Sequence, residues 1–210
     1  MPDYDRIIVR MSTSETIARL LPERPEYSPK PKTWVFWRDS FIIFWVFSLI
    51  GHLMEYPWIG AMNAMGQDLA YPPFFVIAVP YGFGALAILW FVYPFIMKRK
   101  IGPIMVFILS AVVCTIIEFI CALIPYFIYG QNVFWDYSDQ FMNLFGFVCL
   151  KNSIAFGLIG LLFVYVLYPL TARVMKNLGN SNLNKIFWVL AIGYVAARLY
   201  LFATTGNFFA

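Results

Sequence analysis

The feature that most constrains this chain is a series of five apolar segments, each long enough to cross a bilayer. They lie at about 36–58, 73–97, 102–128, 149–172 and 186–205. A hydrocarbon core about 30 Å thick needs about 20 such residues in helical form. The expected fold is therefore all-α, a polytopic membrane helical bundle with five transmembrane helices. Composition agrees: the chain is 61% hydrophobic and 12% charged, against about 45–50% and 25% in a soluble domain. That balance excludes an ordinary soluble enzyme, a disordered chain and a disulfide scaffold. Trp34, Trp37, Trp58, Trp90, Trp135 and Trp188 lie near segment ends or turns, as in interfacial aromatic belts.

Charge placement sets the expected orientation. Thirteen of the 15 Lys and Arg fall in three clusters: the N-terminal region to Arg38, Lys98-Arg99-Lys100, and Arg173, Lys176 and Lys185. Basic loops stay in the cytoplasm. A cytoplasmic N-terminus puts all three clusters inside, leaves the Lys- and Arg-free loops at about 59–72 and 129–148 outside, and makes the C-terminus external. The expected location is the cytoplasmic (inner) membrane. The pattern marks topology and not a nucleic-acid footprint, so the lipid bilayer is the expected partner. Cys114, Cys121 and Cys149 form no CxxC pair, so neither a disulfide framework nor a zinc site is expected. One histidine, His52, cannot complete a usual metal site, and no cofactor is indicated.

Residues 1–35 read as a cytoplasmic tail. Ser12-Thr13-Ser14-Glu15 resembles a helix start, with Ile17, Leu20 and Leu21 as a short apolar stripe, and Pro22, Pro25, Pro29 and Pro31 form a stiff linker. The transmembrane domain is 36–210. Within it a parallel repeat is expected, with one copy at about 36–100, a second at about 102–176, and the fifth helix outside both. Glu55 and Glu118 occupy the first helix of each copy. Phe91-Val92-Tyr93-Pro94-Phe95 and Val166-Leu167-Tyr168-Pro169-Leu170 end the second helix of each, with basic residues following. Gly82 and Gly157 each stand eleven residues before the tyrosine.

Charges within a bilayer are expensive and each needs a reason. At 1.5 Å per residue, Glu118 stands roughly 22 Å along its helix and Arg198 roughly 18 Å along the fifth. Glu55 reaches a similar height, His52 lies a turn lower, and Lys151 falls at the mouth of the fourth helix. These five residues are expected to converge on one level as a polar chamber open to the outside. Ser48, His52 and Glu55, and likewise Ser110, Cys114, Glu118 and Cys121, recur at helical spacing on faces that point at other helices. The bland alternatives are an ion pair of Glu55 or Glu118 with Arg198, and a packing histidine. In the outer loop, Trp135-Asp136-Tyr137-Ser138-Asp139 precedes Asn143, Gly146, Cys149 and Lys151. Paired acids there suit a cation, an amine or acid–base work, or else the loop's Asp, Asn and Ser, Asp139 and Asn143 above all, cap the next helix.

The stretch WDYSDQFMNLFGFVCLKNSIAFGLIG resembles the signature of the ABC-transporter type IV family of small bacterial membrane proteins. PYGFGAL, from Pro80 through Tyr81 to Leu86, resembles a second block of that family, and Gly51 with Glu55 resembles its first-helix pattern. The resemblance covers about residues 40–172. It departs at Phe147, where a basic residue is expected, and at His52, where a tryptophan is expected. It implies a polytopic membrane protein of transport type, with a separate ATPase or other membrane subunit as partner, because this chain has no GxxxxGK[ST] loop. Small faces at Gly157, Gly160, Gly193 and Ala197 suit a homo-oligomer.

Three readings are open. The first is a small-solute transporter, or a membrane subunit of one, with Glu55, Glu118, Asp136, Asp139, Asn143, Lys151, Arg198, His52 and Tyr81 as substrate-binding candidates. The second is an enzyme acting on a lipid or lipid-linked substrate at the outer leaflet, with Asp136 and Asp139 as acid and base. The third is a non-catalytic scaffold or sensor.

Overall fold

The computed structural model describes residues 30–66, 71, 78–130 and 135–206. The expected N-terminal helix at Ser12 to Leu21 lies outside the described residues. Among the described residues the protein is all-helical, without strands. Four helices have membrane-spanning length: α1 (Trp34–Ala64), α2 (Val79–Arg99), α3 (Pro103–Tyr129) and α4 (Leu150–Thr204). The chain is a multi-pass membrane protein.

The helix ends follow from local chemistry. Thr33 caps α1, its hydroxyl accepting from Phe36 N at 3.3 Å. Lys100 ends α2 in the left-handed conformation at φ 51°, and Gly102-Pro103 starts α3 with proline at its first turn. Gly130 closes α3 at φ 75°. The faces are the reverse of a soluble helix. Along α3 the buried set is Val106, Ser110, Glu118, Ala122 and Pro125. Ile108, Val112, Ile116, Ile120 and Ile124, at strict four-residue spacing, are each about half exposed. Large apolar side chains outside and small or polar ones inside is the arrangement a lipid solvent favours.

The sequence separates its fourth and fifth segments by a polar stretch, about 173–185. The structure keeps that stretch helical and interrupts it at one residue, Gly179, with φ 70° and ψ 164°. Across the break Asn182 Nδ2 donates to Leu178 O at 2.9 Å. α4 therefore consists of two helical pieces that meet at Gly179.

Two further breaks precede prolines. Ile88–Val92 of α2 and Phe163–Leu167 of α4 are five-residue π turns, each followed directly by Tyr-Pro. A helical proline lacks the N–H and clashes with the carbonyl four residues back. The π turn lets the preceding tyrosine bond five residues back instead: Tyr93 N to Ile88 O, and Tyr168 N to Phe163 O.

The chain forms two compact units, one comprising Ala87–Pro169 and the other Pro25–Leu86 with Leu170–Ala210, to the extent these residues are described. In the first, α3 packs against the start of α4. A Cβ at Gly157 would run into the Phe107 ring, and one at Gly160 into Ser110. Tyr93 meets Tyr168 edge-on at 4.9 Å. In the second unit, α1 packs antiparallel to the start of α2. Gly51 lies under the Tyr81 ring, and Gly82 against Ser48 and Phe44. α1 also packs parallel to the part of α4 beyond Gly179: Phe187 contacts Trp34 at 5.0 Å and Phe41 at 4.9 Å, and Tyr194 contacts Trp45 at 5.2 Å.

Candidate functional site

In the unit Ala87–Pro169 the family-like loop folds on itself over one end of α3. Trp135 Nε1 donates to Phe147 O at 2.8 Å, and Tyr137 N donates to Gly146 O at 2.9 Å. Asp136 Oδ1 accepts from Ser138 N at 2.9 Å and from the Ser138 hydroxyl. These donors hold the exposed Asp136 carboxyl below its ordinary value. Asn143 braces the centre: its Nδ2 donates to Ser138 O and Gln140 O, both at 3.0 Å, and its Oδ1 accepts from Gly146 N at 3.1 Å. Gly146 is required twice over. Its φ is 71°, and a Cβ would stand 2.6 Å from Ser138 Oγ and 2.8 Å from Asp136 Oδ1. The spacing of the aspartate, serine, asparagine and glycine is thus the spacing of one folded loop.

The cap expected from the loop acids is not formed. Cys149, in extended conformation, is the N-cap, and no side chain caps the helix. The chain enters α4 through Phe147, Val148 and Cys149, all buried, while the polar side chains upstream are spent inside the loop. Phe147, where the resemblance led us to expect a basic residue, packs at 5.6 Å from Phe119 and 5.4 Å from Tyr126. Asp139 is exposed and takes Gln140 Nε2 at 3.0 Å. Lys151 is exposed.

Beneath the loop lies Glu118, 6% exposed. The Tyr137 hydroxyl donates to its Oε1 at 3.3 Å. Asn152 approaches the same carboxyl, yet Oε2 is buried without a hydrogen-bond partner. Beside it, Thr115 Oγ1 donates to Ser153 Oγ at 2.8 Å, and Ser153 Oγ donates to Cys149 O at 3.1 Å. Asn152 and Tyr137 are ligands of this carboxyl that sequence reasoning missed. Their signal was Tyr137 inside the WDYS block and a polar Asn152-Ser153 pair at a membrane helix start.

The second unit has its own polar group. Tyr81 hydrogen-bonds the Glu55 carboxyl, and His52 lies within electrostatic range of it. His52 is 3% exposed, packs edge-on against Tyr56 at 5.4 Å, and its Nε2 has no hydrogen-bond partner. Tyr56 stacks with Tyr71 at 5.9 Å. Arg198 lies over the Tyr194 ring at 5.3 Å. Each unit thus has its own carboxyl: Glu118 with Tyr137 and Asn152, neither among the expected site residues, and Glu55 with the expected His52 and Tyr81.

The burial of one charge was not foreseen from sequence. Arg38, counted there in a cytoplasmic basic cluster, is 1% exposed and pairs with Asp39 at 2.7 Å. Its guanidinium also donates to Asn184 Oδ1 at 2.8 Å and Asn180 Oδ1 at 3.0 Å. Among the described residues no group of three or more His, Cys, Asp or Glu could hold a metal ion.

Neither the curated proteins nor the solved structures include a match for this chain. A protein-family model does match, over residues 42–201, and its span takes in α1 from Ile42, the PYGFG block, Glu118 and the braced loop together. By that match the chain belongs to the family described as "Putative ABC-transporter type IV".

Proposed function

We propose that this protein is a small-solute transporter, or the membrane subunit of a transport system, working through a polar chamber that opens to the outside of the inner membrane. The observation that carries this reading is Glu118, a carboxyl buried in a membrane helix, with one oxygen unpartnered, under a loop built by family-like residues. A charge at such depth is costly and marks a solute or ion pathway by default. Family membership supports transport as the activity. Glu55, His52 and Tyr81 serve as the corresponding polar group of the other half. Arg198, Asp136, Asp139, Asn143 and Lys151 line or brace the outer approach.

The same reading takes five crossings, a cytoplasmic N-terminus and an external C-terminus. Support comes from the parallel pairing of α1 with the chain beyond Gly179, which makes the two run in one direction. A duplicated helix pair is supported by the matched π turns before Tyr93-Pro94 and Tyr168-Pro169. A separate ATPase subunit supplies the energy in the subunit version, and a homo-oligomer is compatible with it. In the enzyme reading Asp136 and Asp139 would be the acid–base pair, but Asp136 Oδ1 already accepts two bonds from Ser138, so transport is preferred.

The test pairs growth or uptake in a deletion strain with thermal stability in detergent. Glu118→Gln and Glu55→Gln should impair function, Glu118→Gln most, while the protein stays folded. Wild-type function in both variants would end the transport reading of these carboxyls.

A further inference from the structure

The polar atoms around Glu118 leave room for very little. Oε1 holds the Tyr137 hydroxyl, the Thr115 hydroxyl is given to Ser153, and the Ser153 hydroxyl to Cys149 O. Only Oε2 is unpartnered. A hard metal cation takes about six oxygens, whereas a proton takes one. The groups that face Glu118 are few. The loop brings Tyr137, α3 brings Cys114 and Cys121 within electrostatic range, and the start of α4 brings neutral Asn152. The π turn Ile88–Val92, which also packs on α3, carries no titratable side chain. Lys151, Asp136 and Asp139 are exposed. Among the described residues no Lys or Arg of this unit forms an ion pair with this carboxylate, and burying the ionised form costs more than two neutral donors, Tyr137 and Asn152, return.

We propose that Glu118 is a proton-exchange site and that the loop 135–149 is its lid. The carboxyl is protonated while the loop covers it. When the loop lifts, the Oε2–H bond breaks, the electron pair stays on the carboxylate, and the proton passes to water. The lid is held by Tyr137 on Oε1, by Trp135 Nε1 on Phe147 O and by the buried run Phe147-Val148-Cys149. Cys149, 1% exposed where the lid joins α4, reports its position. This deepens the transport reading, on which it rests for the use made of the proton. The lid itself is testable with no transported solute.

The experiment is alkylation of Cys149 by N-ethylmaleimide in detergent, on the full chain carrying Cys114→Ala and Cys121→Ala. The rate is divided by that of an engineered thiol at Phe141→Cys, a position 78% exposed, to remove ordinary thiol ionisation. Ionised Glu118 favours the open lid, so the ratio should rise with pH. A difference of about one pK unit in proton affinity between open and closed states gives about a tenfold rise across the transition. Glu118→Gln, neutral at every pH, should stay at the low-pH value throughout. A flat wild-type ratio, or an unchanged step in folded Glu118→Gln, overturns the proposal. If Glu118→Gln does not fold, Tyr137→Phe replaces it: labelling should rise at all pH values with the step retained, and a flat ratio again overturns the idea. A labelling step that depends on Glu118, joined to unimpaired uptake in Glu118→Gln, would remove the transport reading and leave the proton site standing.

Discussion

Arg38 and Glu118 are both chargeable side chains more than nine-tenths buried in membrane-length helices, and they are treated in opposite ways. Arg38 has an acid beside it and two asparagine side chains around it, so its donors are spent. Glu118 has the Tyr137 hydroxyl on one oxygen and Asn152 beside it, while its Oε2 has no hydrogen-bond partner. A saturated buried charge holds architecture together: Arg38 of α1 clips Asn180 and Asn184 just past the Gly179 break, fixing where α4 resumes. An unsaturated one costs stability, and is kept for a task. The hydrogen-bond inventory of a buried charge, more than its depth, separates structure from function in this chain.

The largest expected effect attacks the saturated member. Arg38→Ala takes the guanidinium away from buried Asp39 and from both asparagines and should destabilise by about 3–5 kcal/mol, read as thermal unfolding in detergent. A loss below about 1 kcal/mol would mean that this cluster is not a structural clip, and the contrast would collapse. Next comes the loop that covers the other member. Gly146→Ala forces a side chain into a left-handed position, costing about 1–2 kcal/mol, and drives it against Ser138 and Asp136. Cys149 alkylation should speed up; an unchanged rate would show that the brace does not control burial beneath it.

Glu118→Gln should run the other way from Arg38→Ala. Replacing a buried acid that must be held neutral with a neutral amide leaves the melting temperature equal or higher, while function falls. A drop in melting temperature comparable to that of Arg38→Ala would make Glu118 a structural charge too. The smallest effect is at Asp136. Its folded value lies below the ordinary one because Ser138 donates to it. The brace is therefore present above the ordinary carboxylate range and lost as pH falls through the depressed value. Hydrogen exchange in residues 136–146 should rise only in strong acid, below the window in which Cys149 labelling tests Glu118. Loosening already near neutrality would assign the loop's pH response to another group.

Much of this was legible in the residues. Five apolar segments of bilayer length were read along the chain, against four helices of that length in the structure; the buried stripe through Ser110 and Glu118 and the loop WDYS with its asparagine and glycine also follow from such patterns. Burial of Arg38 was not legible, because a basic residue at a helix start has the same local sequence whether it meets water or Asn180 and Asn184, some 142 and 146 positions away. The helix cap expected from Asp139 and Asn143 failed for a similar reason. Side chains that can cap can also brace a loop, and only the folded loop decides between them.

By itself the sequence determined the solvent and the secondary structure. Long apolar runs can satisfy their backbones in lipid only as helices, and the two Tyr-Pro pairs required some relief of the helix upstream. Tertiary structure decided which polar groups are satisfied. Whether Tyr137 reaches Glu118, whether Asn143 closes on Ser138, and whether Arg38 finds its asparagines all depend on contacts between distant residues, which local pattern does not encode. Satisfaction of buried polar groups is an accounting over neighbours in space. For that reason the sequence could place Glu118 in the membrane, while only the fold left its second oxygen without a partner.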